Sequence, residues 1–271
     1  MTPGNNTGTF WDHLDELRTT LIKSALITML CAIIAFVFKE TVFDIVFAPQ
    51  KSSFITYRWL TSLGGIFDSS KPEDFSIPII NTGLAQQFMI HIKTSFCVGI
   101  LFASPYILYQ LFLFITPALY KHEKKYAWKT VISGYLMFII GLLIGYFLIF
   151  PLTFRFLGTY QVSDEVANMI SLDSYMSTLI MLCLAMGVVF ELPVVSWVLA
   201  KMGFLRSAVM RKFRKHSIVT ILIIAAIITP TSDVFTLIAV SLPIWLLYEG
   251  SILLVKATEE KSLLSEELTL A

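Results

Sequence analysis

Three carboxylates stand where they could do chemistry. Glu123 closes the aromatic stretch 104–125, SPYILYQLFLFITPALYKHEKK, among Lys121, Lys124 and Lys125. Glu16 sits in the amino-terminal run His13-Leu14-Asp15-Glu16-Leu17-Arg18. Glu191 lies inside a long apolar run, and at helical rise its distance from Asp173 puts it near mid-membrane. An ionised carboxylate accepts a guanidinium through charge-assisted, often bidentate hydrogen bonds. Glu16 and Glu123 therefore suit an arginine-bearing ligand, although acids in an amphipathic helix with Trp11 and Leu14 on its apolar side are also commonly just solvated. A carboxylate at the depth of Glu191 must be protonated, paired, or turned to protein or water. Two readings stand for it: a neutral group bonded to carbonyls freed by Pro193, or a contact for substrate or partner.

Other chemistries lack their residues. No Walker-type glycine-rich loop and no G-x-S-x-G occurs. His122-Glu123-Lys124-Lys125-Tyr126 lacks the second histidine that zinc would need on one helix face. Cys31, Cys97 and Cys183 fall within apolar runs at no ligand-like spacing. The expectation is a protein that is not an enzyme, with no cofactor, no metal and no nucleic-acid partner.

The elements that position these acids are membrane spans. With 56% hydrophobic and 14% charged residues in 271, the chain reads as an all-α polytopic membrane protein. Six spans are expected, at 21–38, 84–103, 127–151, 172–199, 217–228 and 234–255. The first four are long enough to cross about 30 Å of hydrocarbon. The last two are short, the fifth ending before Pro230 and the sixth bounded by Asp233 and Glu249. The polar leader 1–9 lacks the basic region and cleavage site of a signal peptide. Residues 1–258 form one membrane domain and 259–271 a cytoplasmic tail.

Lys and Arg concentrate in one set of segments, including Arg18, Lys121, Lys124, Lys201 and the run 206–215, which places both termini in the cytoplasm. The loops 104–125 and 200–216 are then cytoplasmic and 39–83 external. The external loop keeps many apolar residues, Trp59 among them, and is expected as short amphipathic pieces. The stretch 104–125, broken by Pro105 and Pro117, is expected as a surface platform. Gly141 and Gly145 form a G-x-x-x-G expected to pack within the chain. The run 206–215 is expected to anchor to anionic lipid. A small-solute transporter using Glu191 is the rival reading, but it would bring inverted repeats, which the two halves do not show.

These residues together resemble the TatC family, the multispanning core of the twin-arginine protein translocase. The resemblance rests on His13-Leu14-x-Glu16-Leu17-Arg18, on Ser104-Pro105-Tyr106 through Phe114, Pro117, Leu119-Tyr120 and His122-Glu123, on Gly187 with Phe190-Glu191-Leu192-Pro193-Val194, and on Thr229-Pro230, Asp233, Pro243 and Leu247-Tyr248-Glu249. It implies a receptor in the bacterial cytoplasmic (inner) membrane. Such a receptor binds paired-arginine signal peptides and, with single-span TatA/TatB-type partners in an oligomeric complex, exports folded proteins using the proton-motive force. It assigns peptide binding to Glu16, Arg18, Phe114, Pro117, Leu119 and Glu123. It makes Glu191 the buried membrane acid, and gives Asp233, Thr236 and Pro49 to partner contact. The chain departs from the family pattern at Leu237, where many members have Gln, at Gln86, often Glu, at Ala118, often Gly, and in the extra residue of Thr231-Ser232. The short fifth and sixth spans would thin the bilayer beside them.

Overall fold

The computed structural model describes residues 10–62, 77–115, 127–163, 165, 168–229 and 233–270. The apolar runs form antiparallel helices that pass between two ends of a bundle. One, the basic end, carries Arg18, Lys201 and the segment 206–215; the other, the loop end, carries the segments 38–62 and 77–85. Helix α1 (Phe10–Val37) pairs along its length with α4 (Gln86–Ile115). Gly99 makes that approach possible, since a Cβ there would lie 2.8 Å from the Thr28 carbonyl and from Ala32. Between them the chain forms α2 (Lys39–Phe47), a 3-10 turn at Ala48–Gln50 and α3 (Ile55–Ser62), the short pieces expected of the external loop.

α4 corrects the sequence reading. It does not stop at residue 103 but continues through Pro105 to Ile115, so the first half of the expected platform is helix. Proline removes the N–H that would bond the carbonyl four residues back, that of Leu101. The Ser104 hydroxyl donates to that carbonyl at 2.7 Å instead, and the helix carries on.

The third span is α5 (Ala127–Ile144), a π-helical stretch (Gly145–Ile149) and α6 (Phe150–Thr159). The fourth is α7 (Leu172–Val189) and α8 (Leu192–Lys201), separated by a turn at Phe190 and Glu191. Gly141 and Gly145 face α7 of the same chain: a Cβ on Gly141 would meet the Met186 carbonyl at 2.4 Å, and one on Gly145 the Cys183 backbone at 3.0 Å. The G-x-x-x-G is therefore an internal packing seam, as expected. Strands β1 (Ile79–Ile80) and β2 (Ile170–Ser171) pair in parallel at the loop end.

α9 (Ser207–Lys212) leads into α10 (Arg214–Ile228), which at 15 residues is about 22 Å long and falls short of the hydrocarbon. The expectation of a short fifth span holds. The sixth is different: α11 runs without interruption from Val234 to Leu270, and its membrane-length apolar part reaches Glu260. Glu249 does not end it, because its charge is met by Arg214 at 2.7 Å and the following turns pack Ile252 and Val255 against Met210. Among the described residues five helices are long and apolar enough to cross a membrane. The core, with Phe150, Tyr175, Met176, Leu182, Met186 and Ile244, lies between them, while Leu26, Ile33, Ile227 and Leu242 remain exposed on the bundle's outside. An apolar exterior is what a hydrocarbon solvent requires.

Candidate functional site

At the basic end Glu16 and Arg18 lie exposed on the first turns of α1. The pairing register places them. His91 reaches the Phe36 carbonyl at 3.1 Å, and Gly99 faces Thr28 and Ala32. Carried down two antiparallel helices, the same register sets Glu16 level with residues 111–115, the last turn of α4, where Phe114 stands. Pro117, Leu119 and Glu123 lie outside the described residues.

Glu191 occupies the turn between α7 and α8. Beside it a cavity of about 320 Å³ opens between α4, α5 and α8, lined by Leu108, Phe112, Thr130, Gly134, Val194 and Val198. Gly134 makes room for the carboxyl group, since a Cβ there would approach Glu191 Oε2 to 3.1 Å. The bond to carbonyls freed by Pro193 is not made: Oε1 is buried and has no hydrogen-bond partner among the described residues. A carboxyl oxygen buried in apolar surroundings without a donor carries a desolvation cost.

The cap of α2 and α3 at the loop end is held by hydroxyls and carbonyls, while Lys93 of α4 and Asp173 of α7 pair at the same end at 3.2 Å. Pro151 has no N–H for the Phe147 carbonyl, and the Thr56 hydroxyl donates to it in its place. The Tyr57 hydroxyl sits 3.0 Å from the Pro49 carbonyl and 3.1 Å from that of Pro151, with one proton for the two. Tyr146 and Tyr175 send their hydroxyls the other way, to the Ile45 and Val46 carbonyls. Phe54 stacks on Phe147, and Gln50 donates to Ile77. Burial pushes the Tyr57 phenol well above its usual range, with nearby Arg155 opposing, so it remains a neutral donor. Pro49 is buried inside this cap.

Asp233 is the N-cap of α11, its Oδ1 accepting from the Thr236 N–H at 2.7 Å. Thr236 itself is fully buried. Pro230, Thr231 and Ser232 lie outside the described residues. Leu237 packs, half-buried, against the core, and Gln86 folds its Oε1 back onto the N–H groups of Thr82 and Gly83.

Comparison with known proteins decides the family. The model described as "Sec-independent protein translocase protein (TatC)" matches residues 12–243. The chain belongs to the TatC family. It is 36% identical over 248 residues to the Sec-independent protein translocase protein TatC of Blattabacterium, covering 90% of this chain and 93% of that one. It is equally identical, 36% over 251 residues, to the TatC of Aquifex aeolicus, covering 92% and 95%. A solved structure titled "Crystal Structure of Twin Arginine Translocase Receptor- TatC" superposes with a TM-score of 0.74 at 36% identity, over 91% of this chain and 99% of that one. As a member of this family the chain is a component of the Sec-independent protein translocase and a multi-pass membrane protein.

The sequence reading did not find the cap of Thr56, Tyr57, Tyr146 and Tyr175. Pro151 within a span was a usable signal, because it leaves a carbonyl in need of a donor; nothing marked Thr56 as that donor. A second arrangement was also missed. Glu259, 52 residues away, accepts from the Ser207 N–H and hydroxyl, and the Tyr248 hydroxyl donates to the Met210 carbonyl. Together they fasten α9 to α11.

Proposed function

We propose that the basic end is a cytoplasmic receptor for paired-arginine signal peptides of folded cargo, in a protein of the bacterial cytoplasmic (inner) membrane. Glu16 and Glu123 take the guanidinium groups, and Phe114, Pro117 and Leu119 supply an apolar bed for the residues beside them. Arg18 and the neighbouring lysines repel basic segments that lack the pairing geometry, so selectivity rests on local contacts. The observation that carries this reading is the α1–α4 register, which levels Glu16 with the turn from which the segment bearing Glu123 departs.

The transport step requires single-span TatA/TatB-type partners in an oligomeric assembly, and the proton-motive force supplies the energy. Glu191, open to a lateral cavity, offers a donor-bearing partner or peptide span one acceptor within the membrane. Asp233, Thr236 and Pro49 serve partner contact by fixing the α10–α11 turn and the cap. The short α10 thins the bilayer on that flank.

Photocrosslinking tests the receptor. Glu16→Ala with Glu123→Ala is expected to abolish crosslinks between residue 114 and a twin-arginine precursor while membrane insertion stays normal. Unchanged crosslinking and export in the double variant would remove both acids from the site.

A further inference from the structure

Two sets of buried hydroxyls contrast among the described residues. Thr28, Thr229 and Ser251 turn back on their own helices and donate to the carbonyls of Ser24, Ala225 and Leu247. Thr94, Ser95, Thr153 and Thr236 are as deeply buried, yet their hydroxyls have no partner among the described residues. The ordinary escape for a serine or threonine in a helix is thus available and not taken. All four of these lie in the loop-end part of the bundle, near the first turns of α4 and α11 or within α6.

One of them, Thr153, borders a cavity, although its hydroxyl oxygen is itself closed off from that space. Between α6 and α7, closed on one side by β2, lies a cavity of about 380 Å³. Thr153, which is 1% exposed, borders it with Ser171, Ser174 and Thr178 on its polar side, and the larger part of its wall is apolar, from Leu157, Ile170 and the rings of Phe150, Phe154 and Tyr175. No charged residue lines it among the described residues. Thr178 lies seven residues beyond Ser171, the N-cap of α7, so the cavity reaches about 10 Å down from the helix start. Its mouth is at the exposed Ser174 and Met169.

We infer that this cavity is a water-filled vestibule, entered from the loop end. Its volume holds several molecules at about 30 Å³ each, and its hydroxyls both donate and accept, as water requires. Acyl chains would offer no hydrogen bond to the hydroxyls of Ser171, Ser174 and Thr178, and a charged solute would meet no counter-charge among the lining residues. The vestibule stands apart from signal recognition at the basic end. It makes the loop-end portion of α6 and α7 an aqueous lining and shortens the remaining hydrocarbon barrier along these helices by about its own depth.

Thiol accessibility tests it in the full chain, in membrane vesicles, with Cys31, Cys97 and Cys183 replaced. Thr153→Cys and Thr178→Cys are each treated with a charged, membrane-impermeant methanethiosulfonate, which reacts with hydrated thiolate. Leu30→Cys, exposed on the outside of α1 and seven residues from its end at Val37, is the control at equal depth. Ser174→Cys at the mouth is the control for reagent access. Both vestibule cysteines should react at least about tenfold faster than Leu30→Cys, and only with reagent on the loop side. Two positions on different helices keep the result readable if one substitution disturbs folding. Reaction no faster than Leu30→Cys, while Ser174→Cys is labelled, would overturn the inference. So would labelling only by a lipid-soluble maleimide, which would put acyl chains in the cavity.

Discussion

The two ends of the bundle are held together by different means. At the loop end the cap on α2 and α3 is joined to the third and fourth spans by hydroxyl-to-carbonyl bonds, and its aromatic rings stack on the π-helical stretch. At the basic end most joints are ionic or charge-assisted, Arg214 with Glu249 and Glu259 with Ser207, beside one neutral bond from the Tyr248 hydroxyl to the Met210 carbonyl. Neutral bonds buried from water hold their geometry over a wide range of pH and salt. Exposed ion pairs are screened and contribute little to stability.

Four substitutions bear on that contrast, in falling order of effect. Gly141→Leu should be the most damaging, since its side chain would enter the Met186 carbonyl and the Phe190 ring. A loss of about 3 kcal/mol or more is expected, read as failure to accumulate or a large fall in the melting temperature in detergent. Tyr57→Phe leaves the Pro49 and Pro151 carbonyls without their donor and should cost about 1–3 kcal/mol, measured in the same way. If it melts like the parent, the cap is not held by this hydroxyl.

The same residue gives a pH test. Its phenol is raised above the ordinary value of 10.0, so folding favours the protonated form. The stability this brings is complete below pH 10 and is lost as pH rises from there towards the folded-state value. Melting curves up to pH 11 should therefore fall more steeply for the parent than for Tyr57→Phe; parallel curves would refute the assignment. Smallest of all, Arg214→Ala should shift stability by no more than about 1 kcal/mol, because both partners of that pair are partly exposed. A double-mutant cycle with Glu249→Ala that exceeded this would show the basic end to be more rigid than its exposure implies. For α10, adding one apolar turn within 217–228 should impair export without blocking insertion.

Part of this was legible in the residues. Long apolar runs, the asymmetry of Lys and Arg, the short run before Pro230 and the motifs around Glu16, Phe114 and Glu191 fixed the class of protein, the expected orientation and the family resemblance. These are local or compositional properties, set by the cost of placing charge and open backbone in hydrocarbon. Where helices end was less legible. Pro105 and Glu249 look like terminators, yet Ser104 supplies the bond that Pro105 forfeits, and Arg214, 35 residues away, meets the charge of Glu249. The cap, the α9–α11 joint and the hydroxyl-lined cavity depend on partners such as Thr56 and Phe147, 91 residues apart. The sequence by itself determined which segments are apolar enough to cross a membrane and which acids are worth testing. Tertiary structure alone decided which carbonyl each hydroxyl serves, and which hydroxyls find no partner among the described residues, because a hydrogen bond is set by distance in space and not by separation along the chain.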